Sequence, residues 1–171
     1  MNYINTTTSY VSFQKTLKKK IHFSGVGVHN GRAVSMSIEP AEADTGIVFQ
    51  RTDLDNNNNI RAVIDNVVHS RLCTKIKNSS GIYVATIEHL MAALSAFGID
   101  NVIVKINSSE LPALDGSSNE YVKKIISSGI KTLNKSKKIF KVLKKVKVKC
   151  GERFITITPS NTLSINISIN Y

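Results

Sequence analysis

Apolar and polar residues alternate with period two along the first part of the chain, the pattern of strands with one face buried and one wet. Residues 15–24 (KTLKKKIHFS) read as a strand, and Gly25, Gly27 and Asn30-Gly31 punctuate the hairpin that follows. Residues 32–39 alternate again, with Val34, Met36 and Ile38 on one face. Residues 40–46 form a loop and 47–51 (IVFQR) another strand. Residues 53–59 are a polar loop whose four consecutive asparagines read as a flexible insertion. Two more strands are expected from IRAVIDNV and RLCTKIK within 60–77, and a turn at 78–81 leads into IYVAT.

The beat changes in YVATIEHLMAALSAFGIDN, residues 83–101, around which the rest is arranged. Ile87, Leu90, Met91, Leu94 and Phe97 recur at helical spacing, so one face of a short helix is apolar and buried. Thr86 is placed as its N-cap and Gly98 as a left-handed C-terminal cap. Glu88 and His89 then stand side by side in the first turn, about 100° apart around the axis.

A strand run, NVIVKIN at 101–107, comes next. Leu111-Pro112 and Asp115-Gly116 mark a turn, and a second helix starts near Ser118 with Tyr121, Val122, Ile125 and Ile126 as its stripe and Gly129 as its cap. The fold expected for residues 13–132 is α+β, a sheet with two helices layered on it. Residues 133–138 read as a linker, and strands are expected at 139–149, 153–158 and 163–171.

Composition narrows the class. With 171 residues and 42% hydrophobic, the chain has material for one ordinary domain, or one small domain and part of another. No run approaches the ~18 uninterrupted apolar residues of a membrane-crossing helix. Residues 1–12 lack the basic start and apolar stretch of a secretion signal and read as a flexible leader. Cys73 and Cys150 give no disulfide framework, which suits a cytoplasmic location. Of the net charge of +11, residues 131–149 carry nine lysines and no acidic residue, which leaves 14 basic against 12 acidic side chains elsewhere. Such a stripe attracts RNA or acidic lipid. Val146 and Val148 alternate with Lys145, Lys147 and Lys149, however, as in a strand with a solvated face, and only Phe140 offers a ring for base stacking. A non-catalytic basic binding module for RNA or acidic lipid stays open as a second reading. Nothing points to DNA.

The positive end of a helix dipole favours a charged carboxylate and disfavours a protonated imidazole, so the first turn suits Glu88 as a base and His89 as a metal-binding ring. A plain alternative serves the same residues: a glutamate stabilising its helix beside an incidental histidine. Ala85 and Ala93 occupy the positions one turn away, so this helix supplies a single metal ligand.

In order and spacing, the stretches TLKKKIHFSGVGVHNGR, EPAEADTGIVFQRTDL, RLCT, ATIEHLMAALSAFGIDN and LPALDGSSNEYV resemble the zinc-dependent UDP-3-O-acyl-N-acetylglucosamine deacetylases of lipid A synthesis. The resemblance implies that His89 is a Zn2+ ligand and Glu88 the general base for a zinc-bound water. That water would attack the N-acetyl carbonyl of the UDP-sugar and release acetate. It places Leu72, Cys73 and Thr74 near the substrate and His29 in a turn bordering the site, with Cys73 equally readable as a buried structural thiol. His22 and His69 receive no role.

The resemblance also implies two similar domains of the ribosomal-protein-S5 domain-2-like type, their helices facing each other across the active site. The second carries the remaining zinc ligands, a His and an Asp on one helix, and a further catalytic His, none of which has a counterpart in this chain. The expectation is therefore an amino-terminal half. Residues 13–132 make the first deacetylase domain and 139–171 an incomplete start of the second. A separate chain could supply the rest, and activity alone is not expected.

Overall fold

The computed structural model describes residues 12–169. In chain order the elements are β1 (Phe13–Leu17), β2 (Ile21–Val26), β3 (Ala33–Pro40), β4 (Ile47–Arg51) and β5 (Asn59–Arg61). A short 3-10 turn (Ile64–Asn66) leads to β6 (Val67–Val68), β7 (Lys75–Lys77) and β8 (Tyr83–Ala85). Then come α1 (Glu88–Ala96), β9 (Val102–Ile106), α2 (Asn119–Ser128), β10 (Ile130–Ser136), β11 (Val146–Cys150) and β12 (Arg153–Ile157). The chain divides into two units between Lys137 and Lys138.

In the first unit the alternation becomes one buried face. Five strands pair in the order β2-β3-β9-β4-β5, antiparallel except for the parallel β4–β9 pair. Register sets Ile21, Ile38, Val104, Phe49 and Ile60 opposite one another across all of them, none more than 7% exposed. The adjacent row, His22, Ser37, Lys105, Gln50 and Asn59, occupies the other, polar face. A slip of one residue would exchange the rows, so the alternation fixes the register. Leu90, Ala93 and Leu94 of α1 and Tyr121 and Ile125 of α2 join the same core, and the Tyr121 ring tilts against Phe23 with 4.9 Å between centroids. Among the described residues this is a mixed α/β architecture with two α-helices, of the α+β kind.

The helix ends show which local signals hold. Gly98 sits at φ 64, its N–H donating to the Ser95 carbonyl at 3.0 Å while Ile99 N–H reaches Leu94 O at 2.9 Å. This is the paired closure that a left-handed residue permits at a helix C-terminus, sealed by the buried Leu94 and Ile99 side chains. Gly129 closes α2 at φ 76. Thr86, in contrast, does not cap α1. The N-cap is Ile87, no side chain caps the helix, and the Thr86 hydroxyl is committed to Glu110. Ile126 leaves the expected stripe of α2 and is 64% exposed, because the helix buries only the face carrying Tyr121 and Ile125.

Other departures come from pairing. Residues 15–24 are two strands in different sheets, broken at the exposed Lys18–Lys20 corner. Residues 60–77 hold three short strands and a 3-10 turn, and Arg71–Cys73 is a bend, not strand. The segment read as a linker, 133–138, lies mostly in β10, which pairs antiparallel with β1 and buries Leu133. The pairing satisfies backbone groups that a linker would leave to water. In the second unit β11 and β12 form an antiparallel hairpin with Val146 opposite Ile157 and Val148 opposite Ile155. Residues 139–145 and 163–169 are outside any described strand. The flexible leader at 1–12 lies outside the described residues except Ser12, whose carbonyl accepts the Lys137 N–H.

Candidate active site

The start of α1 is bracketed by the backbone of Thr74. Its N–H donates to Glu88 Oε2 at 2.8 Å, and its carbonyl accepts the Ile87 N–H at 3.4 Å. A first-turn carboxylate thus serves as an acceptor for a neighbouring loop while it sits at the positive end of the helix. Its Oε1 makes no hydrogen bond to a described residue. The His89 imidazole likewise has no hydrogen-bond or ionic partner among the described residues, although its carbonyl accepts the Ser118 hydroxyl at 2.9 Å, which ties α2 to this turn. Burial, assisted by the Glu88 charge, pushes the Tyr121 phenol well above its ordinary pKa, so this ring stays neutral beside the pair.

Two residues upstream, the chain passes through Thr86 at φ 59. A β-branched residue in the left-handed region carries strain on the order of 1–3 kcal/mol and persists only where its surroundings enforce it. Here the Thr86 side chain is bonded to Glu110. This glutamate is 2% exposed and accepts the Thr86 hydroxyl at 2.9 Å. It also accepts the Asn30 N–H at 2.9 Å and the His29 N–H at 3.0 Å, and lies 2.6 Å from His29 Nδ1. Since an ionised carboxylate only accepts, that bond assigns the proton to Nδ1. Gly27 makes room for the arrangement: a Cβ there would stand 2.6 Å from Glu110 Oε2 and 2.4 Å from Asn30 Oδ1.

Burial alone would raise the Glu110 pKa, but the hydrogen bonds from His29, Asn30 and Thr86 outweigh it and hold the carboxyl below its ordinary value. A depressed folded-state pKa contributes stability that is complete above the ordinary glutamate range and is lost as pH falls through the folded value. Urea midpoints followed from about pH 7 to about pH 3 are therefore expected to drop more steeply for the parent chain than for Glu110→Gln. Parallel curves would contradict this.

Beside Glu110 opens a cleft of about 250 Å³ whose walls include His29, Ser70, Arg71, Cys73, Lys75 and Tyr83. Cys73 is a free, half-buried thiol with its Sγ 3.0 Å from Ser70 Oγ. The Arg51 guanidinium, paired with Asp53 at 2.6 Å, donates to the Tyr83 carbonyl and ties β4 to this wall. A larger hollow of about 340 Å³ between β1, β10 and the loop after β3 contains none of the residues picked out from sequence.

Of those residues, His29 and Cys73 meet at the cleft, and Thr74 touches Glu88 through its backbone. Leu72 does not join them. It is 86% exposed at φ 65, because the bend that delivers Cys73 turns Leu72 outward. Glu110 escaped the sequence reading. Its one local signal is a lone acid set directly before an apolar Leu-Pro turn, where a charge demands partners.

A catalytic zinc site uses three protein ligands and a water. Among the described residues no three His, Cys, Asp or Glu side chains converge in that way, so the described residues do not complete a zinc site.

The first unit is thus a mixed α/β domain in which Glu88 and His89 follow one another in the first turn of α1. Residues 14–171 match the UDP-3-O-acyl N-acetylglycosamine deacetylase family, and the chain belongs to that family. It is 44% identical over 161 residues to the UDP-3-O-acyl-N-acetylglucosamine deacetylase of Geotalea uraniireducens, a match covering 94% of this chain and 52% of that protein. The protein of the same name from Wigglesworthia glossinidia brevipalpis is 40% identical over 159 residues, covering 92% of this chain and 53% of that protein. For the one from Pseudoalteromonas atlantica the figures are 39% over 158 residues, 92% and 52%. The chain spans about half the length of the curated relatives it matches.

Proposed function

We propose that the chain contributes the amino-terminal half of a zinc-dependent deacetylase that hydrolyses the N-acetyl group of a UDP-3-O-acyl-N-acetylglucosamine, a step of lipid A synthesis in the cytoplasm. The observation that carries it is the adjacency of Glu88 and His89 in the first turn of α1, within a family match running over residues 14–171. Glu88 is the general base, with one oxygen anchored by Thr74 and the other available to take a proton from the attacking water. His89 is one metal ligand, and its unpartnered ring suits that role. When bound, zinc polarises the carbonyl and activates water. Cys73 and His29 line the cleft as substrate-side groups, with Leu72 and Thr74 placing the bend that carries Cys73. The first unit is read as a ribosomal-protein-S5 domain-2-like module, which its two helices on one face of a sheet support.

Zinc content tests this reading. The isolated chain is expected to retain no stoichiometric zinc after dialysis, since one histidine does not make a tight site. Joined after Tyr171 to the carboxyl-terminal half of one of the relatives, it is expected to hold about one zinc, lost again on His89→Ala. A tightly bound zinc on the isolated chain would show that His29 or Cys73 closes a different site. Zinc retained by His89→Ala in the joined protein would remove the ligand assignment.

A further inference from the structure

We propose that Glu110 is the positioning residue of the Glu88–His89 pair. Through Thr86 its buried carboxylate holds the left-handed turn that aims the start of α1, and through His29 and Asn30 it fixes the loop forming a wall of the neighbouring cleft. The functional weight of this inference rests on the roles proposed above for Glu88 and His89; its geometry does not.

Backbone bonds alone hold the entry to α1 only loosely. Ala85 N–H donates to Ser109 O at 2.9 Å and Leu111 N–H to Ala85 O at 3.1 Å, so the segment around Glu110 runs as a parallel bridge beside the end of β8. Those bonds stop at Ala85. Between it and the first residue of α1 stand only Thr86 and Ile87, the latter held by one long backbone bond to Thr74 O at 3.4 Å, and no side chain among the described residues caps the helix. The entry angle is thus decided at Thr86, an 8% exposed residue held at φ 59 against its own preference. The Glu110 bond to its hydroxyl supplies the compensating contact. Two residues on, Glu88 takes the Thr74 N–H, so a carboxylate bond stands on each of the residues flanking Ile87.

Glu110 itself is unsuited to chemistry. It is buried, and donors from Thr86, His29 and Asn30 occupy both of its oxygens, which leaves them committed to the protein and not to a substrate or to proton transfer at neutral pH. Its depressed pKa agrees with a group that is ionised at neutral pH. The closeness of Gly27 to the carboxylate shows how little room the position has to shift.

The test reads the amide of Thr74, because the Glu88 carboxylate protects it and any loosening of the α1 entry releases it. Amide exchange is followed by NMR on the full 171-residue chain. In Thr86→Val, which removes the hydroxyl at nearly constant volume, and in Glu110→Gln, exchange at Thr74 is expected to rise at least about tenfold, while Val104 in the central sheet keeps its protection. Thr86→Ser, which keeps the hydroxyl, is expected to match the parent. Unchanged Thr74 protection in Thr86→Val would overturn the proposal. An equal rise at Val104 would overturn it too, by showing general destabilisation in place of positioning. If Glu110→Gln fails to fold, the Thr86 pair decides alone. Because no turnover is measured, failure of the deacetylase reading and failure of this one are separable.

Discussion

Replacing Glu88 by Gln is expected to lower kcat of the joined enzyme by about a hundredfold or more, the usual scale for loss of a general base. Gln preserves the shape of the side chain, and its amide oxygen still accepts the Thr74 N–H that Glu88 Oε2 accepts now. The loop and the helix entry therefore stay in place, and zinc content is expected to be unchanged. The lost property is the ability to take a proton. His89→Ala provides the contrast: turnover disappears because the metal does. Steady-state kinetics on the UDP-sugar with metal analysis of the same samples separate the two outcomes. A Glu88→Gln variant as active as its parent would remove the base assignment.

The largest effect on stability is expected from Leu90→Ala. Leu90 follows His89 directly, is 0% exposed, and belongs to the core shared by the sheet and both helices. Truncating a fully buried leucine removes its transfer free energy and leaves a cavity, together costing about 2–5 kcal/mol. Against a domain stability of about 5–15 kcal/mol, that is a large fraction. Leu72→Ala is the matched control: at 86% exposure it is expected to stay within about 0.5 kcal/mol of the parent. Chemical denaturation followed by circular dichroism compares them. Equal effects of the two substitutions would contradict the packing described for α1.

These contrasts follow what local pattern is able to encode. Val34, Met36 and Ile38 announced a buried face because alternation is a property of adjacent residues, and the sheet register then follows from burying it. The end of α1 was equally legible, since a glycine after an apolar periodic run has few other uses. β10 was not. KTLNKS buries only Leu133 within its polar run, and the strand exists because β1, more than a hundred residues earlier, offers a partner edge. Thr86 failed for the same reason. Its hydroxyl suits a cap by local rule, but a distant glutamate claims it. Glu88 and His89 were visible through resemblance more than through spacing, because adjacent Glu-His is common chemistry in any first turn. The cleft grouping of His29, Cys73 and Glu110 joins three loops and leaves no periodic trace.

Acetate release from a UDP-3-O-acyl-N-acetylglucosamine tests the central claim most directly. It is measured on the 171-residue chain alone and on the same chain joined to the carboxyl-terminal half of a relative. The prediction is no turnover above background for the chain alone and zinc-dependent release, abolished by a chelator, for the joined protein. Robust release by the isolated chain, or none by a folded, zinc-loaded joined protein, would contradict the half-enzyme account.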